Sequence, residues 1–407
     1  MSRDRARFLF LNVGHAYDHL FMLLFPTVVL VLEREWNRPF AELLPYALGG
    51  FIAFGLGALP AGLLGDRWSR PHMMTVFFLG IGGASILTGM AAGPWGLAAG
   101  LTLIGLFASI YHPVGVAMVV QGVENVGLRL GVNGVAGNLG VAAAALTAGA
   151  LAELIHWRAA FIVPGAVSVA TGIGFFFFAL GDKGAEGKSQ GNKGRQRAQI
   201  SGSLVRVFVV LGLVAIFGGV IFHSTLVSLP KMFAVRLGGV TDSAFQVSLL
   251  VSMVYVMGAF SQVLVGLMLD RYPLRGILML VAAVQIPFMV AAPQVTDWAL
   301  VALTTMMVFT IFGTIPIQDT LVARYTTEDW RSTVYALKYL LGLGISPVAV
   351  GLVALIYGGT GEFTWLFAVF TALSVSIFIT ALLLPRGDAP QVLGETAASP
   401  APSGGGD

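Results

Sequence analysis

The chain carries one pattern twice. Gly62-Leu63-Leu64-Gly65-Asp66-Arg67 returns as Gly266-Leu267-Met268-Leu269-Asp270-Arg271, and His19 and Pro26 return at the same offset as His223 and Pro230. Each Asp-Arg pair closes an apolar stretch and is followed by further basic residues. A duplication of this length constrains the fold more than any single motif. Two related halves must pack together, and the surface where they meet is where a ligand can sit.

The residues around the repeat are too apolar for a water-soluble domain. Only 11% of the chain is charged and 57% is hydrophobic, against roughly 25% charged in a soluble domain. The 52 glycines suit close helix-helix approach, because lipid gives no hydrophobic push between helices. With no cysteine in the chain, disulfides, thiolate metal sites and cysteine nucleophiles are excluded. A net charge of +3 is too small to imply a nucleic-acid partner. The first apolar stretch is too long for a signal-peptide core and has no small-residue cleavage site, so it reads as a first membrane helix.

A helical span needs about 20 mostly apolar residues. Twelve such windows lie near 8–32, 43–65, 72–92, 95–119, 131–154 and 158–181, then 206–234, 243–268, 275–293, 297–322, 332–357 and 362–385. The expected fold is an all-α integral membrane protein, its twelve helices in two six-helix bundles related by a pseudo-two-fold axis. The expected domains are 1–181, a basic linker at 182–205, a second bundle at 206–385 and a disordered tail at 386–407. With the N-terminus inside, only Arg34, Arg38, Arg158, Lys231 and Arg236 fall outside. Lys338 lies within a span, and the rest of the 23 Lys and Arg face inward. This bias places both termini in the cytoplasm.

Two Gly-x-x-x-Asp-Arg motifs after the second and eighth spans, with a long basic central loop, resemble the major facilitator superfamily over about residues 8–385. Trp157-Arg158-Ala159-Ala160-Phe161 is similar to that family's start of the sixth helix. The resemblance implies a gating latch at Gly62, Asp66, Arg67 and Arg70, with a looser copy at Asp270 and Arg271. Ser69 stands where the family often has Gly, and Pro273 interrupts the second turn. The alternative for these arginines is that they only enforce orientation. Gly14-His15-Ala16-Tyr17-Asp18-His19 and Tyr111-His112-Pro113 are also similar to bacterial drug-efflux members of the fosmidomycin-resistance type.

Ionisable groups deep in a span are expensive, about 2.5–3.5 kcal/mol each on insertion scales, so they face a partner or a polar interior. His15, Asp18, His19 and Met22 fall at i, i+3, i+4 and i+7, one stripe of an otherwise apolar helix. That stripe is expected to face the interface between the halves, with His223 opposite His19. Asp18 is the first candidate for a proton carrier, and a structural hydrogen-bond cluster is the alternative. His112 has two readings: a donor to a carbonyl freed by Pro113, or a member of the site beside Tyr111. Asp319 and Lys338 lie on neighbouring spans and are expected to pair. Tyr335, Lys338 and Tyr339 form one face suited to an anionic or aromatic ligand. Asn133 and Asn138 are cavity candidates in span five, where Gly137 and Gly140 suggest close packing. Tyr255 and Gln262 form an i, i+7 pair in span eight.

No phosphate-cradling motif is present, which argues against ATP drive. The expected function is secondary transport of a small organic solute by alternating access in the bacterial inner membrane. Protons are the coupling ion, export is favoured, a monomer is expected, and no cofactor or resident metal is required. An importer of an organic anion using Lys338 is the runner-up. A membrane metal enzyme built on His15, Asp18, His19, His112 and His223 is the third reading.

Overall fold

The computed structural model describes residues 2–121, 126–181, 202–326 and 328–385. The linker over 182–201 and the tail at 386–407 fall outside the described residues. Among the described residues, twelve helices are long and apolar enough to span a bilayer. In chain order they are α1 (Arg3–Glu35), α2 (Leu48–Arg67, entered through the turns Phe40–Leu43 and Leu44–Ala47), α3 (Arg70–Gly89), α4 (Pro94–Ala108, a π-helical turn Tyr111–Gly115, then Val116–Val119), α5 (Val126–Leu154) and α6 (Ala159–Leu180). The second six are α7 (Gly202–Arg236), α8 (Ala244–Leu269), α9 (Leu274–Ala291), α10 (Asp297–Tyr325), α11 (Glu328–Gly344 and Ser346–Thr360) and α12 (Thr364–Ala381).

The duplication read in the sequence reappears as packing. Within the first six, α1 packs on α5, α2 on α4 and α3 on α6; within the second six, α7 packs on α11, α8 on α10 and α9 on α12. Between the halves, α5 lies against α8 and α2 against α11, with α1 beside α7. These pairs exchange under the same six-helix shift, as a pseudo-two-fold axis requires. Pro26 in α1 and Pro230 in α7 sit inside their helices at matched places. Each removes one backbone hydrogen bond and favours a bend there.

The outward faces are apolar, as a lipid-facing surface must be. Leu56, Leu59, Phe260 and Leu267 are all more than half exposed. Glycines set the closest helix approaches. A Cβ on Gly140 would stand 2.1 Å from the Ala16 carbonyl oxygen, so α1 and α5 touch backbone to backbone. Gly55 meets Gly344 in the same way across the halves, where an added Cβ would lie 3.1 Å from the Gly344 Cα. The eleventh span crosses as one stretch, as the sequence reading has it, but its helix is interrupted at the single residue Ile345. Pro347, the second residue of the second helix, fixes φ and supplies no N–H, which suits a helix start.

Polar ties distinguish the two ends of the bundle. At the end bearing Glu33, Lys231 of α7 donates to Glu33 of α1 at 2.6 Å, and Glu33 also accepts the Phe40 N–H at 2.8 Å. Glu153 of α5 accepts the Ser243 hydroxyl at 2.8 Å and the Phe245 N–H, placing a carboxylate at the N-terminus of α8. At the same end the Trp157 indole N–H donates to Glu35 at 2.9 Å, and Arg158 donates to the Gly89 and Ala91 carbonyls. The Trp-Arg motif therefore pins the start of α6 to α1 and α3. At the opposite end, the pairs Asp66–Arg70, Asp4–Arg7 and Asp4–Arg129 each stay within the first half.

Candidate functional site

The stripe on α1 faces protein rather than lipid. Asp18 is fully buried, His15 is 9% exposed and His19 is partly buried. Helix α5 makes room for it: a Cβ on Gly137 would lie 2.7 Å from the His15 ring. His15 is held from three sides. Its Nδ1 donates to the Asn133 carbonyl at 2.7 Å, its ring stacks on Tyr111 at 4.8 Å, and its Nε2 lies 3.2 Å from His19 Nε2. The Asn133 carbonyl can only accept, so Nδ1 carries the proton and Nε2 presents its lone pair.

Tyr111 and His112 come from the π-helical turn of α4, at Pro113. Such turns are frequent at functional sites because they re-aim side chains out of the α-helical register. Tyr111 donates to the Leu11 carbonyl and accepts from the Asn133 amide, both at 2.8 Å, and that amide also donates to Asn12 at 2.9 Å. Tyr111 is thus a structural clamp between α1, α4 and α5. His112 swings the other way. Its Nε2 lies 3.2 Å from Asp18 Oδ2, and its ring faces that of Tyr339 on α11 at 5.1 Å. The reading of His112 as a donor to a freed carbonyl is overturned, since neither ring nitrogen has a hydrogen-bond partner among the described residues. Both Asp18 oxygens are without a hydrogen-bond partner as well, so the two side chains stand 3.2 Å apart without meeting hydrogen-bond geometry.

The second half contributes a different set. Lys338 pairs with Asp319 at 2.5 Å, as the sequence spacing suggests, and lies over the Tyr339 ring at 4.8 Å. Lys338 is buried while the Asp319 carboxylate is 38% exposed. Tyr335 donates to the Asp319 backbone carbonyl at 3.2 Å and stacks near Tyr339 at 6.5 Å. His223 lies on α7, which packs beside α1, but its Nε2 is turned to the Gly342 carbonyl of α11 at 3.1 Å. Tyr255 donates to the Leu226 carbonyl at 3.2 Å and so joins α8 to α7. Met22 leaves the polar stripe for an apolar crevice with Phe21, Phe25, Gly50 and Phe51.

The motif residues divide as well. Asp66 pairs with Arg70 at 2.9 Å across the α2–α3 turn, and Arg67 is exposed. Gly62 admits Pro113: a Cβ there would lie 3.2 Å from the proline ring. In the second copy, Asp270 and Arg271 are exposed. The end of α8 is held instead by Arg324 of α10, which donates to the Leu269 carbonyl at 2.6 Å. Asn12, Glu33 and Glu153 escaped the sequence reading. An acid in an otherwise uncharged helix end was the available signal for Glu153, while Glu33 stands among the charges of Glu33-Arg34-Glu35. Lys231 was read only for its side of the membrane.

Comparisons with known proteins agree with this architecture. The family model described as Major Facilitator Superfamily matches residues 17–340. No curated protein matches the chain. Among solved structures, a D-xylose-proton symporter aligns with TM-score 0.74 and 13% identity, covering 97% of this chain and 100% of that one. A bacterial homologue of the human lysosomal transporter Spinster, inward-facing and occupied, aligns with TM-score 0.69 and 15% identity over 94% and 95%. A peptide transporter in complex with sulfate aligns with TM-score 0.70 and 14% identity over 92% and 93%. At these identities the likeness establishes the fold alone.

Proposed function

The chain belongs to the major facilitator superfamily, and from that premise we propose that it moves a small organic solute outward across the membrane in exchange for protons. That it is a secondary transporter of an integral membrane fold, and not an enzyme, follows from the family. The observation that carries the finer reading is the meeting of the halves at His112 and Tyr339, with the buried Asp18 carboxylate directly behind His112. A carboxylate with no hydrogen-bond partner is poorly stabilised as an anion in a low-dielectric interior. Taking up a proton relieves that cost, and a solute entering between the halves displaces the imidazole that supplies the other relief.

Alternating access needs ties that hold one end closed while the other opens. The Glu33–Lys231 and Glu153–Ser243 bonds cross between the halves at one end. The Asp66–Arg70 pair stays inside its own half. This supports a state closed at the Glu33 end, which the basic-residue bias puts outside the cell, with both termini in the cytoplasm. Outward direction is favoured by the resemblance of the α1 and α4 motifs to drug-efflux members. The domain limits proposed are 1–181 and 206–385, each half acting as one rocking body in a monomer.

The test is a reconstitution. Purified protein in vesicles with an imposed pH gradient is offered a panel of organic anions and drugs, and proton movement is followed with each. Proton flux dependent on one compound supports the reading. Compound flux that ignores the pH gradient rejects coupling while leaving transport intact.

A further inference from the structure

We propose that His15, His19 and His112 form a binding site for a divalent first-row transition-metal ion of the zinc or cobalt class, with the Asp18 carboxylate beside His112 as an outer-shell partner. The site shares its residues with the transport reading but does not depend on transport. One ring nitrogen from each histidine lies within 4.8 Å of the others. One of the distances already matches a metal's coordination shell. Bonds of about 2.0–2.1 Å from zinc to nitrogen put neighbouring ligand atoms of a tetrahedron about 3.3 Å apart. The His15 and His19 nitrogens are separated by 3.2 Å, and the Asp18 carboxylate lies 3.2 Å from the His112 ring, where an outer-shell carboxylate belongs.

The surroundings also favour a metal. His15 donates its Nδ1 proton to the Asn133 carbonyl at 2.7 Å, which leaves Nε2 free to ligate and fixes the ring, the usual outer-shell device of metal-binding histidines. His15 and His19 stand one helical turn apart, the spacing by which a single helix chelates zinc. Asp18 is fully buried with both oxygens unpartnered among the described residues. A buried carboxylate in that condition is stabilised by a nearby cation. The donor set of three imidazoles suits zinc, cobalt, nickel or copper and not the oxygen-loving magnesium or calcium.

The chain has six histidines and no cysteine, which makes a clean experiment possible. His72 and His156 lie at helix ends outside this site. A His72→Ala, His156→Ala double variant, purified full-length without a histidine tag, is stripped with chelator and titrated with cobalt(II). The expected result is saturable binding of one ion per chain with the ligand-field spectrum of a four-coordinate site. In the same background, His19→Ala and Asp18→Asn each weaken binding by roughly 10- to 100-fold or more. Copper(II) loaded into the parent double variant is expected to show imidazole nitrogen couplings by pulsed electron paramagnetic resonance, a reading that needs no variant in the site to fold. Absence of those couplings, or cobalt affinity unchanged by His19→Ala, overturns the proposal.

Discussion

In the first six helices, Asp18 and His112 keep all their polar side-chain atoms without a hydrogen-bond partner among the described residues. In the second six, the ionisable groups near the interface are satisfied: Lys338 by Asp319, and His223 by the Gly342 carbonyl. The unpartnered buried atoms there belong to Thr225, Gln262 and Gln285, which do not titrate. The halves share their helix packing and proline positions, yet the chemistry is distributed unequally. Repetition preserved the packing, while the ionisable residues diverged. The proposed proton and ligand site therefore falls in the half whose buried polar groups are unpartnered, beside a half whose charges are paired.

The sharpest way to break this contrast is to remove one ionisable group in each half. Asp18→Asn is expected to abolish pH-gradient-driven accumulation in vesicles while leaving thermal stability within about 1 kcal/mol, since no formed hydrogen bond is lost. Wild-type accumulation in that variant would remove Asp18 from the coupling reading. Lys338→Ala is expected to act the opposite way, lowering stability. The loss should fall short of the about 3–5 kcal/mol of a fully buried pair, because the Asp319 carboxylate is 38% exposed and screened. Pairing it with Asp319→Asn should cost less than the two single losses summed, with a coupling of about 0.5–3 kcal/mol. Additive losses in denaturation midpoints would mean the two residues act separately.

Smaller effects sharpen the same comparison. Gly137→Ala is expected to cost about 1–3 kcal/mol by overpacking, because its Cβ would meet the His15 ring at 2.7 Å. Transport should fall with it, as the ring that orders the first-half cluster is displaced. Glu33→Gln should loosen the closed end. Since the chain has no cysteine, spin labels at introduced Arg34→Cys and Arg236→Cys can follow it, and a broader distance distribution is expected. An unchanged distribution would show that the Glu33–Lys231 tie does not hold that end. Asp66→Asn should be the mildest, with about 0–1 kcal/mol lost from a pair as exposed as Asp66–Arg70.

Much of the architecture was legible in the chain. Span number, the halves and the polar stripe of α1 follow from apolar length, the repeated Gly-x-x-x-Asp-Arg motif and helical spacing. The Asp319–Lys338 pair was also legible, because two opposite charges on neighbouring apolar helices have few other partners. The roles of Tyr111 and His112 were not. Adjacent residues in an α-helix point about 100° apart, but the turn at Pro113 is π-helical, and that local register sends Tyr111 into the α1–α5 contact and His112 to Asp18. The break of α11 at Ile345 and the Glu33–Lys231 bridge were equally hidden, since each depends on which distant helix lies alongside.

The chain by itself determined that charge in this protein is scarce and where along the helices it falls, because lipid tolerates long apolar helices and little else. Tertiary structure alone decided which of those charges are compensated. Compensation requires a partner within about 3–4 Å, and partners such as Asp4 and Arg129, or Glu33 and Lys231, are far apart in the chain and meet only when whole helices pack.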